Sequence, residues 1–343
     1  MNLSEKLKKS GLLSLIGNTP LIRINSLSEL ADRDIYIKCE TANPGGTIKD
    51  RPALEMVKQA ILSGELTQDK VIVEGTAGNT GIGLAMVGKA LGIKVLVVLP
   101  KGQDPSKLRL LSLYGAEIFE TDAVAYPDER HFFLMGKKLG TSDKNHWWVN
   151  QFDNPHNWGA HFRTTGPEIW AQTQGECDAV VCAAGSSGTI AGVSRYLKQM
   201  NPKITVHLVD PHGSGLCHYF HQKDWTPTGT LTMAEGVGIT RMSQNWAHAL
   251  VDSAFTLGDD YLVKLAYWLR EKEGLVMGMS SMLNVAGAFY HSLRMPKKSK
   301  IVTFMCDGGD RALSKMYNPQ YLIERQLDAT LLTDKELRDY FSK

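Results

Sequence analysis

The feature that most constrains this chain is an alternation of short apolar, β-branched runs with amphipathic stretches. The runs cover residues 35–39, 71–74, 94–99, 117–120, 147–150, 179–183, 204–209 and 300–306. Helical spacing of apolar residues predicts helices over 51–62, 80–91, 105–114, 165–174, 189–199, 260–273 and 283–291. Such alternation predicts βαβ units, and so an α/β fold with mainly parallel sheets covered on both faces. The runs are almost continuously apolar, as strands buried on both faces must be. In sheets of this kind ligands gather at the carboxyl ends of strands, beside helix N-termini.

The length, 343 residues, suggests two domains or one large one. A net charge of +2 argues against a dedicated polyanion binder, so no nucleic-acid partner is expected. No apolar run approaches about 18 residues, which argues against a membrane span. Lys6, Lys8 and Lys9 precede an apolar stretch, Leu12–Ile16, that is too short for a secretory signal and lacks a small-residue cleavage site. Cys39, Cys177, Cys182, Cys217 and Cys306 are odd in number and scattered, without a CxxC pair. Reduced thiols and a cytoplasmic location are the expectation.

Three glycine-rich turns carry the chemical signal. In Asn43-Pro44-Gly45-Gly46-Thr47-Ile48-Lys49-Asp50-Arg51 one lysine sits between the loop and a helix start, with Asp50 placed to be the N-cap. Such a lysine can meet a carbonyl compound or a phosphate; a solvated surface turn is the ordinary alternative. In Glu74-Gly75-Thr76-Ala77-Gly78-Asn79-Thr80-Gly81 successive N–H groups, hydroxyls and an amide lie between a strand and a helix. They suit a carboxylate at the positive helix end, or simply cap the helix. Gly185-Ser186-Ser187-Gly188-Thr189 follows the run 179–183 and suits a phosphate monoester. It is neither a Walker A loop nor a GxGxxG dinucleotide turn. A reactive lysine, a carboxylate cradle and a phosphate cradle together are the parts of a pyridoxal-phosphate enzyme acting on an amino acid.

The chain resembles the fold-type II pyridoxal-phosphate enzymes of the cysteine synthase and cystathionine β-synthase family over nearly its whole length. Besides the three turns, the resemblance rests on Ile16-Gly17-Asn18-Thr19-Pro20-Leu21, Gln151-Phe152-Asp153-Asn154-Pro155, Thr164-Thr165-Gly166-Pro167-Glu168-Ile169-Trp170, Glu235-Gly236-Val237-Gly238 and Gly278-Met279-Ser280-Ser281, in that order. It implies a two-domain, tryptophan synthase β-like architecture with parallel-rich open sheets. The smaller, mobile domain would run over 50–151, and the larger cofactor domain over 1–49 plus 152–343. A homodimer is implied as well.

The resemblance also implies roles. Lys49 would form the imine with pyridoxal 5'-phosphate and, once freed, move the substrate's α-proton. Gly185, Ser186, Ser187, Gly188 and Thr189 would hold the cofactor phosphate, Asn79 its ring hydroxyl, and Ser280 its pyridine nitrogen. A hydroxyl there bonds the nitrogen without fully protonating it, which favours β-elimination and β-replacement. Thr76, Ala77, Gly78 and Thr80 would receive the substrate carboxylate with help from Gln151. Gly236 and Val237 would form the backbone of the mouth. The implied reaction is β-replacement on an activated L-serine, with O-acetyl-L-serine and sulfide giving L-cysteine and acetate through an α-aminoacrylate. Cystathionine β-synthase, cysteine desulfhydrase and serine/threonine dehydratase activities share that step. A catalytically impaired amino-acid-binding paralogue is the non-enzyme alternative. The small room after about residue 325 favours the shorter cysteine synthases over cystathionine β-synthases with a regulatory domain.

Three residues depart from the family pattern near the expected cofactor: Ala77 where Ser is common, Ser187 where Gly is common, and Met282 where Gly usually follows the serine pair. They bear on substrate choice and rate. His212, Cys217, His218 and His221 surround Asp210 in sequence; a loop and short helix, not a metal site, is expected there. Trp147 and Trp148 read as core or interface, not as a nucleic-acid platform.

Overall fold

The computed structural model describes residues 2–226, 232–238 and 241–343. They contain ten strands: β1 (Leu21–Arg23), β2 (Asp34–Cys39), β3 (Val71–Gly75), β4 (Lys94–Pro100), β5 (Glu117–Thr121), β6 (His146–Trp148), β7 (Ala179–Cys182), β8 (Thr205–Pro211), β9 (Ser253–Leu257) and β10 (Lys300–Met305). These form two sheets, one in the order β1-β2-β10-β7-β8-β9 and one in the order β5-β4-β3-β6. Only the β1–β2 pair is antiparallel; the other pairs are parallel. The fold is thus the parallel-rich α/β architecture expected from the alternation of apolar runs.

Burial explains the run composition. All four residues of β7 are buried, as are the four inner residues of β10. Helices cover both faces of the six-stranded sheet, giving one core under Asp259–Glu273 and Met279–Ser292 and another under Gly188–Met200. The four-stranded sheet has its own core with Asp50–Ser63 and Asn79–Leu91. Trp147 belongs to that core, while the Trp148 ring meets Phe133 at 5.8 Å. No helix among the described residues is long and apolar enough to cross a membrane.

Some elements escape the sequence pattern. The helix Phe132–Ser142 contains Gly136 and Gly140, which weaken helical propensity. The reason is packing: a Cβ on Gly136 would lie 2.6 Å from the Gly75 nitrogen of β3. The helix Pro155–Arg163 and the strands β1 and β9 were likewise not marked by the alternation. The predicted helix 283–291 begins four residues earlier, at Met279, so Ser280 stands in its first turn. The strand 147–150 shortens to β6, and Asn150 takes a left-handed backbone with φ 53°.

Candidate active site

The strands β3, β7 and β10 end at a cavity of about 330 Å³, which residues in the segments following β2 and β6 also line. Every site residue expected from the sequence lines it: Lys49, the loop Thr76, Ala77, Gly78, Asn79 and Thr80, Gln151, the loop Gly185, Ser186, Ser187, Gly188 and Thr189, Gly236, Val237, and Ser280. Of the three departures, Ala77 and Ser187 line the cavity. Met282 does not; it is wholly buried in the hydrophobic core of its helix, where a methionine fills space.

Lys49 is placed by its neighbours. The Ile48 N–H donates to the Cys306 carbonyl at 2.9 Å, and Thr47 bridges Asp307, which ties the loop to the end of β10. Asp50 does not cap the following helix, contrary to the sequence reading. Lys49 is the N-cap residue, and Asp50 turns back to accept the Gly45 N–H at 2.6 Å. Burial of Asp50 pushes its carboxyl up to about 7. One residue on, Arg51 grips Glu168 at 2.6 and 2.7 Å and Glu40 at 2.7 and 2.9 Å. Thr19 donates to Glu40 at 2.7 Å. Burial would raise the Glu168 carboxyl, but Arg51 and Lys38 hold it down to about 2. Three motifs far apart in sequence thereby clamp the helix that starts beside Lys49.

The loop 185–189 is shaped by close packing. A Cβ on Gly185 would lie 2.3 Å from the Gly236 carbonyl oxygen, and one on Gly188 would lie 1.9 Å from Asn157 Oδ1. Ser187 adopts φ 65°, a left-handed conformation that glycine takes without strain. Its hydroxyl accepts from Ser243 Oγ at 3.2 Å. Asn157 Nδ2 donates to Ser186 Oγ at 3.0 Å. The ring of His161 hydrogen-bonds Thr189 Oγ1 at 3.2 Å and Thr165 Oγ1 at 2.9 Å. Burial, then the Arg51 and Lys49 charges, push its basicity well down, so the ring is neutral.

The loop 76–80 is held by a polar relay. Thr80 Oγ1 donates to Gln151 Oε1 at 2.7 Å, and Gln151 Nε2 donates to Glu74 Oε1 at 3.0 Å. Glu74 is buried, which pushes its carboxyl up to about 8 despite these contacts. Asn79 is fixed at both ends of its amide: Nδ2 donates to Asp307 Oδ2 at 2.7 Å, and Oδ1 accepts from Arg311 Nη1 at 2.6 Å. Asp307 also meets Ser281 Oγ at 3.3 Å and Ser280 Oγ at 3.5 Å. Cys182 and Cys306 share the same wall, and burial keeps both as thiols, with Cys306 pushed up to about 12.

Sequence reasoning missed Asp307, Arg311, His161, Asn157, Lys107 and Arg241 as parts of this region. Asp307-Gly308-Gly309 follows β10 as the other turns follow their strands, and that signal was available. The cluster around Asp210 is occupied with local contacts. Asp210 accepts the Cys217 N–H at 2.8 Å, His218 pairs with Asp224 at 3.0 Å, and His221 bonds the Ala254 carbonyl at 2.9 Å.

Parallel-rich sheets thus bring a lysine and two glycine-rich loops to one cavity, the arrangement of an α/β protein that binds its ligand beside strand ends and helix N-termini. The family described as "Pyridoxal-phosphate dependent enzyme" matches residues 12–307, and the chain belongs to it. Cysteine synthase 1 of Neurospora crassa is 42% identical over 92% of this chain and 85% of its own length. Among solved structures, O-ureido-L-serine synthase superposes with a TM-score of 0.81 at 28% identity, covering 90% of this chain and 95% of that one. The O-acetylserine-dependent cystathionine β-synthase of Helicobacter pylori gives 0.80 at 30% identity, covering 89% and 97%. The residues present fit pyridoxal phosphate: Lys49 lines the same cavity as the hydroxyl-bearing loop 185–189, which opens the helix Gly188–Met200 and so offers N–H donors to a phosphate.

Proposed function

We propose that this chain makes L-cysteine by replacing the acetate of O-acetyl-L-serine with sulfide. The observation that carries the reading is that one cavity holds Lys49, the loop 185–189 and the loop 76–80 together, in a chain akin to cysteine synthases. When bound, pyridoxal phosphate supplies an aldehyde for amines and a conjugated ring that takes up the electron pair left when a Cα–H bond breaks.

The chain's residues do the rest. Gly185, Ser186, Ser187, Gly188 and Thr189 hold the phosphate at the N-terminus of the helix Gly188–Met200, where N–H groups and the helix dipole favour an anion. The neutral His161 ring bonds Thr189 and orients its hydroxyl. Lys49 would hold pyridoxal phosphate at its aldehyde and, once the substrate amine displaces it, its Nζ would take the substrate's α-proton. Asn79, in an orientation set by Arg311 and Asp307, would hold the ring hydroxyl. Ser280 would hold the ring nitrogen. Thr76, Ala77, Gly78 and Thr80, with Gln151, receive the carboxylate, and Gly236 and Val237 frame the mouth. The unit 50–151 moves over the rest, 1–49 plus 152–343, and its closure excludes water. The enzyme is a homodimer, and its five free thiols suit a cytoplasmic setting.

The test is the visible spectrum of the purified protein during titration with O-acetyl-L-serine, with acetate and cysteine counted after sulfide is added. The expected result is a spectral change that sulfide reverses, with one acetate released per cysteine formed. A coloured protein blind to O-acetyl-L-serine rejects this substrate. A protein that takes up no pyridoxal phosphate overturns the site assignment.

A further inference from the structure

Lys107 belongs to none of the motifs above, yet it reaches the cavity wall and is only 5% exposed. It sits in the helix Pro105–Leu113, which follows β4, and its side chain turns back over the loop 76–80. A Cβ built on Gly78 would lie 3.0 Å from Lys107 Cδ and 3.3 Å from its Nζ. The ammonium therefore rests against the middle of that loop. Its ion partner is Glu235, which also lines the cavity and is shared with Lys315. Two ammoniums on one carboxylate leave this trio with net positive charge.

The loop itself is poor in strong donors. Thr80 Oγ1 is already committed to Gln151. Ala77 has no hydroxyl. The Thr76 and Gly78 N–H groups are taken by Val98 O and Thr76 Oγ1, and the Asn79 and Gln151 amides are committed to Asp307 and Glu74, which leaves the other loop N–H groups and the Thr76 hydroxyl. A carboxylate taken from water into such a place needs a cation or several good hydrogen bonds.

We infer that Lys107 is a further substrate-binding residue, its ammonium pairing with the substrate's α-carboxylate against the loop 76–80. This rests on the reading of that loop as the carboxylate cradle. Lys107 and the loop both extend from the four-stranded sheet, so the cation stays in register with the loop. Glu235 holds the ammonium until substrate arrives and competes with the carboxylate for it. The missing hydroxyl at Ala77 is thus compensated by a charged donor.

The experiment uses the pyridoxal-phosphate-loaded enzyme and two unreactive probes, L-alanine and L-alaninamide, whose dissociation constants are read from absorbance. Lys107→Gln should weaken L-alanine by about 10- to 100-fold, the scale of a hydrogen bond to a charged group, while L-alaninamide shifts by less than about 3-fold. Lys107→Arg should restore most of the loss. Glu235→Gln should tighten L-alanine by about 2- to 10-fold, a gain that general damage to the site does not produce. Equal effects of Lys107→Gln on both probes, or none on either, overturn the proposal. Gln151→Leu separates the two layers. If it alone loses preference for the carboxylate, the cradle stands and Lys107 is rejected; if neither variant does, the cradle reading falls as well.

Discussion

The two glycine-rich loops of the cavity are held by different physics. The loop 185–189 is held by exclusion of volume: its glycines touch the Gly236 backbone and the Asn157 side chain, and a neutral histidine and an asparagine tie down its hydroxyls. The loop 76–80 is held by a chain of hydrogen bonds that ends on a buried carboxyl, Glu74. A resident cofactor rewards a rigid pocket, because every contact is preorganised and permanent. A substrate that must enter and leave rewards a loop whose donors can be re-paired. With the proposed roles, the contrast predicts that changes in the loop 185–189 act on cofactor affinity and changes in the loop 76–80 on amino-acid binding.

The largest effect breaks both at once. Lys49→Ala should abolish turnover, and borohydride should then fail to fix pyridoxal phosphate to the protein, as mass spectrometry would show. Next comes volume. Gly188→Ala should lower cofactor affinity about 10- to 100-fold through overpacking against Asn157, measured by fluorescence titration of the cofactor-free protein. Its counterpart, Gly78→Ala, forces an L-residue into φ 152° beside Lys107. It should weaken amino-acid binding while cofactor affinity stays within about 3-fold.

A charge-based effect follows. Burial raises the Glu74 carboxyl to about 8, so the folded protein keeps a proton that the unfolded chain sheds near its ordinary value of 4.5. The stability this lends is fully present below the unfolded value and is lost as pH rises through about 8. Glu74→Gln removes that term, so the denaturation midpoint of the natural protein should fall relative to the variant between pH 5 and 9. The slope is at most about 1.4 kcal/mol per pH unit. Parallel midpoints at all pH values would show that Glu74 is not the titrating group. The smallest effect belongs to Ser187→Gly. Relief of φ 65° and loss of the Ser243 contact oppose each other, so stability should shift by no more than about 1 kcal/mol in denaturant titration.

Much of the site was legible because each turn is local. A strand that ends, a glycine that lets the chain turn, and a helix that begins all lie within ten residues, and order along the chain connected the three turns. The supports were not legible, because they join residues far apart. Asn79 and Asp307 are 228 positions apart, and Lys107 and Glu235 are 128 apart. Asp50 shows the limit even at short range. Its sequence position suits an N-cap, but the Gly45 N–H is buried nearby and takes the carboxylate instead.

Periodicity by itself determined the α/β class and the burial of the central strands β7 and β10, and glycine-rich motifs marked the turns at strand ends, because those depend on residue type and spacing along one stretch of chain; the peripheral β5, largely exposed, departs from that pattern. Only the tertiary structure decided that Met282 faces a hydrophobic core, that Glu74 steadies Gln151, and that Lys107 lies over Gly78. Those facts depend on which sheet edge, helix and loop meet in space, and hydrophobic patterning sets a residue's face without naming its neighbour.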